Sequence, residues 1–308
     1  MINLLKVENL IKKYGDFEVL KGISFEVSKG CIYGFLGKNG TGKTTTMNIL
    51  TGLINYNSGN IFINGKDFNT NKRQLLKTIG YLPQAPVFYG YMTGYEYLKF
   101  IGSLSGMSPK EVSIRADEVL EIVQLKSAAK RKLSGYSGGM KQRFGLAVAL
   151  FNHPEILFLD EPTSALDPEG RMEVLSLIEK LKAEGITVFL SSHILNDIER
   201  VCDEVSILDK GKILISDNLK ELEKKYIQPI FDVEVEGDIS TLTETLFRQP
   251  LIENIKSSNN LLSIYVKNID EGKKQLLKLI LATDCTVLSY NIRKSNLEDI
   301  FMRMVIKE

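Results

Sequence analysis

The sequence predicts an α/β fold: a parallel-sheet core with an antiparallel β edge and a helical insertion, followed by a small α+β domain of ferredoxin-like order. Three observations predict it. Short apolar strand runs alternate with segments of helical periodicity. A glycine-rich loop, Gly37 to Thr44, lies directly between one such strand and a helix. Beyond residue 230 the elements run β-α-β-β-α-β, the split βαβ order.

At 308 residues, the chain suits one large domain and a smaller one. The opening segments LLKVENL and VLKGISFEV alternate apolar and polar residues around Tyr14-Gly15-Asp16, which predicts an antiparallel pair at one edge. CIYGFLG reads as a buried strand entering the glycine-rich loop. Between about 89 and 135 the strand signals stop, and GYEYLKFIGSL and KEVSIRADEVLEIVQL carry apolar residues at helical spacing, the expected helical insertion. The α/β pattern resumes with helix 139–152, strand EILFLD, helix 168–184, strand TVFLSS, helix 194–201 and strand EVSILD.

A charged stretch from Lys224 to Pro229 reads as a linker, so the domains are expected at 1–224 and 230–308. The second should contain strand 231–236, helix 240–248, strands 251–257 and 261–267, helix 271–282, strand 285–292 and helix 296–304. Ser295 and Glu298 have capping-box spacing at the start of that last helix.

Thirty-nine Lys and Arg oppose 38 Asp and Glu, for a formal charge of +1. That balance supplies no field for nucleic acid, and no nucleic-acid partner is expected. The cluster Lys130-Arg131-Lys132 reads as a solvated face. Cys31, Cys202 and Cys285 are far apart and lack metal or redox spacing, as expected of core residues in a cytosolic protein. No apolar run approaches the roughly 20 residues needed to span a bilayer, and the N-terminus lacks signal-peptide character. Any membrane role is therefore expected to come through a partner.

Gly37-Lys38-Asn39-Gly40-Thr41-Gly42-Lys43-Thr44 fits G-x-x-x-x-G-K-[ST] in its required place, between strand and helix. The glycines let backbone N–H groups curl around phosphate oxygens, and the helix presents its positive end. Lys43 would reach the β and γ phosphates and Thr44 would bind Mg²⁺. Downstream, the run Glu155–Leu159, apolar from Ile156 onward, delivers Asp160 and Glu161 to a strand end. Asp160 is the candidate Mg²⁺ ligand, and Glu161 the candidate for polarising the attacking water.

With Ser137-Gly138-Gly139 about twenty residues before that strand, the combination resembles the nucleotide-binding domain of the ABC superfamily. The resemblance covers roughly residues 3–220 and implies a P-loop NTPase core that binds ATP and Mg²⁺. Its phosphate site would comprise Gly37, Asn39, Gly40, Thr41, Gly42, Lys43, Thr44 and Thr45. It further implies that Ser137, Gly138 and Gly139 complete the site of an opposite subunit, in a homodimer or a pair with a homologous ATPase subunit. The commonest form of that motif, Leu-Ser-Gly-Gly-Gln, is altered here to Tyr136 and Met140 at its ends.

Four further positions follow from the resemblance. Tyr14 is expected to stack on adenine with Val19 beside it. Gln84 would reach Mg²⁺ or the attacking water, and Asp167 in Ser164-Ala165-Leu166-Asp167 would cross the dimer interface. His193 would contact the γ-phosphate, whereas His153 reads as a surface turn. The tail ending Asn296-Leu-Glu-Asp-Ile-Phe301 is similar to ATPase subunits of bacterial drug, antibiotic-resistance and sodium-export systems. An exporter motor is therefore expected, at the cytoplasmic face of the membrane beneath separate permease subunits. An importer subunit, or a soluble ATP-driven switch acting on a cytosolic partner, stays open at this stage.

Overall fold

The computed structural model describes residues 2–226, 229–294 and 297. Two compact units divide the chain, Met1–Leu219 and Lys220–Glu308. The first unit begins with β1 (Asn3–Tyr14) and β2 (Phe17–Ser28), followed by β3 (Ile32–Leu36), α1 (Lys43–Leu50), β4 (Ser58–Ile63), β5 (Lys66–Asp67) and α2 (Phe68–Leu75). After β6 (Ile79–Leu82) come α3 (Gly94–Leu104), α4 (Pro109–Ile122) and α5 (Gly138–Leu150). The unit closes with β7 (Ile156–Asp160), α6 (Pro168–Ala183), β8 (Thr187–Ser192), α7 (Leu195–Val201), β9 (Glu204–Asp209) and β10 (Lys212–Asn218).

The expected edge pair is one half of an antiparallel sheet ordered β2-β1-β4-β5. Alternation buries Leu5, Val7, Ile23 and Phe25, and a register shift at Asn9 (φ 48°) brings Leu10 opposite Ile23, where it is also buried. Strand β4, absent from the sequence reading, approaches β1 so closely at Gly59 (φ 108°) that a Cβ there would lie 2.6 Å from the Asn9 carbonyl oxygen. Only glycine fits that crossing.

The second sheet is ordered β10-β9-β3-β8-β7-β6, parallel from β9 to β6 with β10 antiparallel at its edge. Every residue of β3, β7 and β8 is buried, as their near-continuous apolar sequences require of strands covered on both faces. The two sheets meet through Phe25, Tyr33, Phe35, Phe158 and Phe189, whose neighbouring ring centroids lie 5.3–5.8 Å apart. The pairing β3-β8-β7-β6 places four strand carboxyl ends side by side, where parallel α/β sheets bind ligands.

Within the expected insertion, α3 and α4 start at capping boxes, Thr93 with Glu96 and Ser108 with Glu111. Each box satisfies two otherwise unpaired amides. Phe144 of α5 receives the edges or faces of Phe88, Tyr97 and Tyr136.

The unit boundary falls ahead of the expected 224, at the start of α8 (Leu219–Tyr226). The second unit contains β11 (Pro229–Glu236), α9 (Ile239–Phe247), β12 (Ile252–Ser258), β13 (Leu261–Val266), α10 (Ile269–Leu281) and β14 (Thr286–Lys294). Its sheet is antiparallel, ordered β12-β13-β11-β14, the spatial order that β-α-β-β-α-β connectivity produces when both helices cover one face. Phe231, Val233, Leu242, Leu246, Leu262, Ile264 and Leu276 form its core. The expected helix 296–304 and its Ser295–Glu298 box lie outside the described residues, apart from Leu297, which is buried. Among the described residues no helix is long and apolar enough to cross a membrane.

Candidate nucleotide site

Strand β3 ends at Leu36, and the chain then turns through Gly37 to Gly42 into α1. The Gly37 amide donates to the Ser192 carbonyl at 3.3 Å, and a Cβ at Gly37 would meet the Leu208 carbonyl oxygen at 2.5 Å. The loop is therefore seated directly on the ends of β8 and β9. Thr41 turns inward, its hydroxyl donating to the Lys38 carbonyl at 2.9 Å, so it shapes the loop. Lys43, 4% exposed, donates from Nζ to the carbonyls of Gly37 at 2.7 Å and Lys38 at 3.1 Å.

Glu161 follows the end of β7 with φ 45°, a left-handed conformation that costs a non-glycine residue energy and marks functional sites. Its amide is held by Ser191, donating to Oγ at 3.0 Å and to the carbonyl at 3.2 Å. The Ser191 hydroxyl in turn donates to Asp160 Oδ1 at 2.6 Å. That arrangement aims the Glu161 carboxylate across the sheet end. Oε1 lies 3.1 Å from Lys43 Nζ, and Oε2 lies 2.9 Å from His193 Nδ1 and 3.2 Å from Gln84 Nε2. Four adjacent strand ends thus converge on one carboxylate.

A cleft of about 410 Å³ opens here, lined by Phe17, Val19, Asn39, Gly40, Gly42, Lys43, Thr44, Thr45, Gln84 and Glu161. Tyr14 is not among its lining residues; Lys12 Nζ sits 4.7 Å from the Tyr14 ring centroid. Phe17, 71% exposed at the start of β2, lends an aromatic surface to the cleft and was missed by sequence reasoning. Its only sequence signal is a large apolar side chain beside a tight turn. Asp160 stands behind the cleft at 1% exposure, and the Tyr81 hydroxyl is pushed up to about 12 by its burial and by the negative charge of Asp160. Thr44, Gln84 and Asp160 offer only oxygen donors, hydroxyl, amide and carboxylate, the hard set that suits Mg²⁺ alongside water and phosphate.

Ser137, Gly138, Gly139 and Asp167 occupy a different surface. They line a second cleft of about 330 Å³ with Met140, Arg143, Ala165 and Leu166, and the two clefts share no lining residue. Ser137 caps α5, accepting from the Met140 amide at 3.2 Å, and Asp167 caps α6, accepting from the Gly170 amide at 2.9 Å. Within one chain, therefore, the two groups of sequence-predicted residues are not brought together.

The ABC transporter family profile matches residues 20–164, and the C-terminal domain profile of the DrrA1-3-like ATP-binding proteins matches residues 218–305. The bacitracin transport ATP-binding protein BcrA of Bacillus licheniformis is 38% identical over 309 residues, covering 99% of this chain and 98% of its own. This chain belongs to the ABC transporter ATP-binding subunits. ATP binding and hydrolysis come with that membership. The linearmycin resistance ATP-binding protein LnrL of Bacillus subtilis is 33% identical, with 98% of each chain covered. A solved dimeric post-hydrolysis state of an ATP-binding cassette bound to ADP and Pi matches with a TM-score of 0.63 at 27% identity, over 70% of this chain and 98% of that one.

The departure from Leu-Ser-Gly-Gly-Gln in this ATP-binding subunit has a packing explanation at Tyr136. Its ring is 4% exposed and stands edge-on to Phe144, and its hydroxyl donates to the Ala128 carbonyl at 3.0 Å. Gly94 makes room, since a Cβ there would lie 2.7 Å from that hydroxyl. Met140 lines the second cleft.

Proposed function

We propose that this subunit hydrolyses ATP in the 410 Å³ cleft as half of a head-to-tail dimer and so drives separate membrane permease subunits in export. The observation that carries the reading is the Glu161 carboxylate, held between Lys43 of the glycine-rich loop and His193 at 3.1 and 2.9 Å.

The amides of residues 39–43 and the positive end of α1 would bind the phosphates. Lys43, already within reach of the cleft, exchanges Glu161 for the β and γ phosphate oxygens. Glu161 then accepts a proton from water as the water oxygen bonds to the γ phosphorus and the β–γ bridging bond breaks, giving ADP and phosphate. His193 orients Glu161 and the γ-phosphate, and Phe17 with Val19 offers an apolar wall to the base, beside the expected Tyr14. Thr44, Gln84 and Asp160 would hold Mg²⁺, which neutralises phosphate charge. Ser137 and Gly139, on their separate surface, suit the site of a second copy, in keeping with the dimeric relative. The relatives named for bacitracin transport and linearmycin resistance favour export, at the cytoplasmic face of the membrane.

Glu161→Gln should retain ATP binding, lose turnover by about 10²–10⁴-fold and accumulate as an ATP-bound dimer in size-exclusion chromatography. Unchanged steady-state hydrolysis would refute the role of Glu161. Ser137→Arg mixed with Lys43→Ala should regain activity through the one intact composite site. No recovery in that mixture would remove the head-to-tail arrangement.

A further inference from the structure

Asp197 is the one residue of α7 that carries a buried charge. It is 1% exposed, and a carboxylate so placed is tolerated only where donors and a cation compensate it. Two groups do so. Thr163 Oγ1 donates to Oδ2 at 2.6 Å, and Arg171 Nε lies 2.6 Å from Oδ1.

The positions of those partners give the contact its meaning. Thr163 lies between Glu161 and Ser164, ahead of the segment Ser164 to Asp167; Arg171 stands in the first helical turns behind that segment. Asp197 stands in the first turn of α7, four residues after His193, which precedes that helix. One carboxylate therefore grips both ends of the 164–167 segment and joins them to the element that carries His193. The same two strand-end loops meet again at the cleft, where His193 Nδ1 contacts Glu161 and the Glu161 amide binds Ser191. The Ser164 hydroxyl closes the loop onto the Glu161 carbonyl at 3.1 Å. None of Asp197, Thr163 and Arg171 lines the first cleft, whereas Ala165, Leu166 and Asp167 line the second.

We propose that Asp197 is a positioning residue for ATP hydrolysis: through Thr163 and Arg171 it makes the loop bearing Glu161 and residues 164–167 move as one body with the loop bearing His193. The proposal rests on the reading of Glu161 and His193 given above. It adds that a γ-phosphate sensed by His193 at one cleft is transmitted mechanically to Asp167 at the other, so the tether serves turnover and the cooperativity between sites while leaving ATP affinity alone.

The test uses the full-length chain, with kcat, KM and the Hill coefficient from steady-state hydrolysis and sites per chain from titration with a fluorescent ATP analogue. Asp197→Ala should lower kcat by about 10- to 100-fold, the scale of a misplaced catalytic geometry, with KM and site number held within about twofold and the Hill coefficient moving toward one. Asp197→Asn should restore kcat to within about threefold of the parent, because its amide oxygen accepts from Arg171 and its N–H donates to the Thr163 hydroxyl. Thr163→Val, close in shape and able to fold where the alanine variant fails, should give an intermediate loss at full site number. The proposal is overturned if Thr163→Val keeps the parent kcat, if Asp197→Asn is as impaired as Asp197→Ala, or if kcat falls only in proportion to the sites lost. Glu161→Gln, run alongside, separates the two ideas: hydrolysis retained there overturns the reading of Glu161 and not the tether.

Discussion

Lys43→Met removes an ammonium whose side chain is 4% exposed and leaves the Glu161 carboxylate, 7% exposed, facing an uncharged neighbour. At the observed separation of 3.1 Å, the gross attraction is about 5 kcal/mol for an effective dielectric of ~20. Desolvation of the two ions offsets most of it. Breaking one half of a buried pair is nonetheless costly, about 3–5 kcal/mol, because the remaining charge is orphaned. Glu161 keeps His193 and Gln84 at 2.9 and 3.2 Å, which favours the lower end, about 3 kcal/mol. At roughly 2–4 °C per kcal/mol for a unit of this size, the melting temperature without nucleotide should fall by about 6–12 °C. Glu161→Gln is milder at about 1–2 kcal/mol, since its amide oxygen still accepts from Lys43. In the double variant no charge is orphaned, so the combined loss should fall short of the sum of the two by about 1–2 kcal/mol. Differential scanning fluorimetry and urea unfolding of all four proteins measure these values. A Lys43→Met protein melting within about 2 °C of the parent, or strictly additive losses, would refute the pairing of Lys43 with Glu161.

Two further outcomes are expected. Tyr136→Phe deletes the hydroxyl that donates to Ala128 and should cost about 1 kcal/mol by urea unfolding; Tyr136→Leu, which restores the commoner signature residue, should cost more because the edge contact with Phe144 is also lost. Equal stability of all three would show that Tyr136 does not anchor the signature loop. His153 has its pKa lowered by burial first and then by the positive charge of Arg115, so between the unfolded value near 6.5 and the lower folded one the unfolded chain binds more protons. Its stability contribution is therefore complete above about pH 6.5 and lost as pH falls toward the folded value. His153→Asn, which tolerates the left-handed backbone at φ 50°, should lose less melting temperature than the parent between pH 7.5 and 6, and an equal loss would contradict the shift.

The site was legible in sequence wherever its chemistry is local. Residues 37–44 declare a phosphate loop because the glycines, the lysine and the following helix act within a few bonds of one another. Glu155 to Glu161 declares a buried strand bearing acids because its apolar run is continuous. The second unit was legible for a similar reason, since its hydrophobic period switches cleanly between strand and helix. Other elements were silent. Strand β4 reads Ser-Gly-Asn-Ile-Phe-Ile, half of it poor in strand propensity, and it exists because β1 pairs with it from far away in sequence. Phe17 lines the cleft, although it pairs with Tyr14 across the turn of the hairpin and no local run of residues marks it. Asp197 carried no motif at all; only the packing of α7 against α6 discloses its partners.

By itself, the sequence determined that this chain binds nucleotide phosphate, which strands carry the acids, and that a small βαββαβ unit follows, because each depends on short-range backbone geometry or periodicity. Tertiary structure alone decided that Lys43, Gln84 and His193 meet at the Glu161 carboxylate, and it gave Ser137 and Asp167 the separate cleft that the family resemblance implies. Those outcomes follow from the spatial order β3-β8-β7-β6, which is set by long-range parallel pairing that no local run of residues encodes.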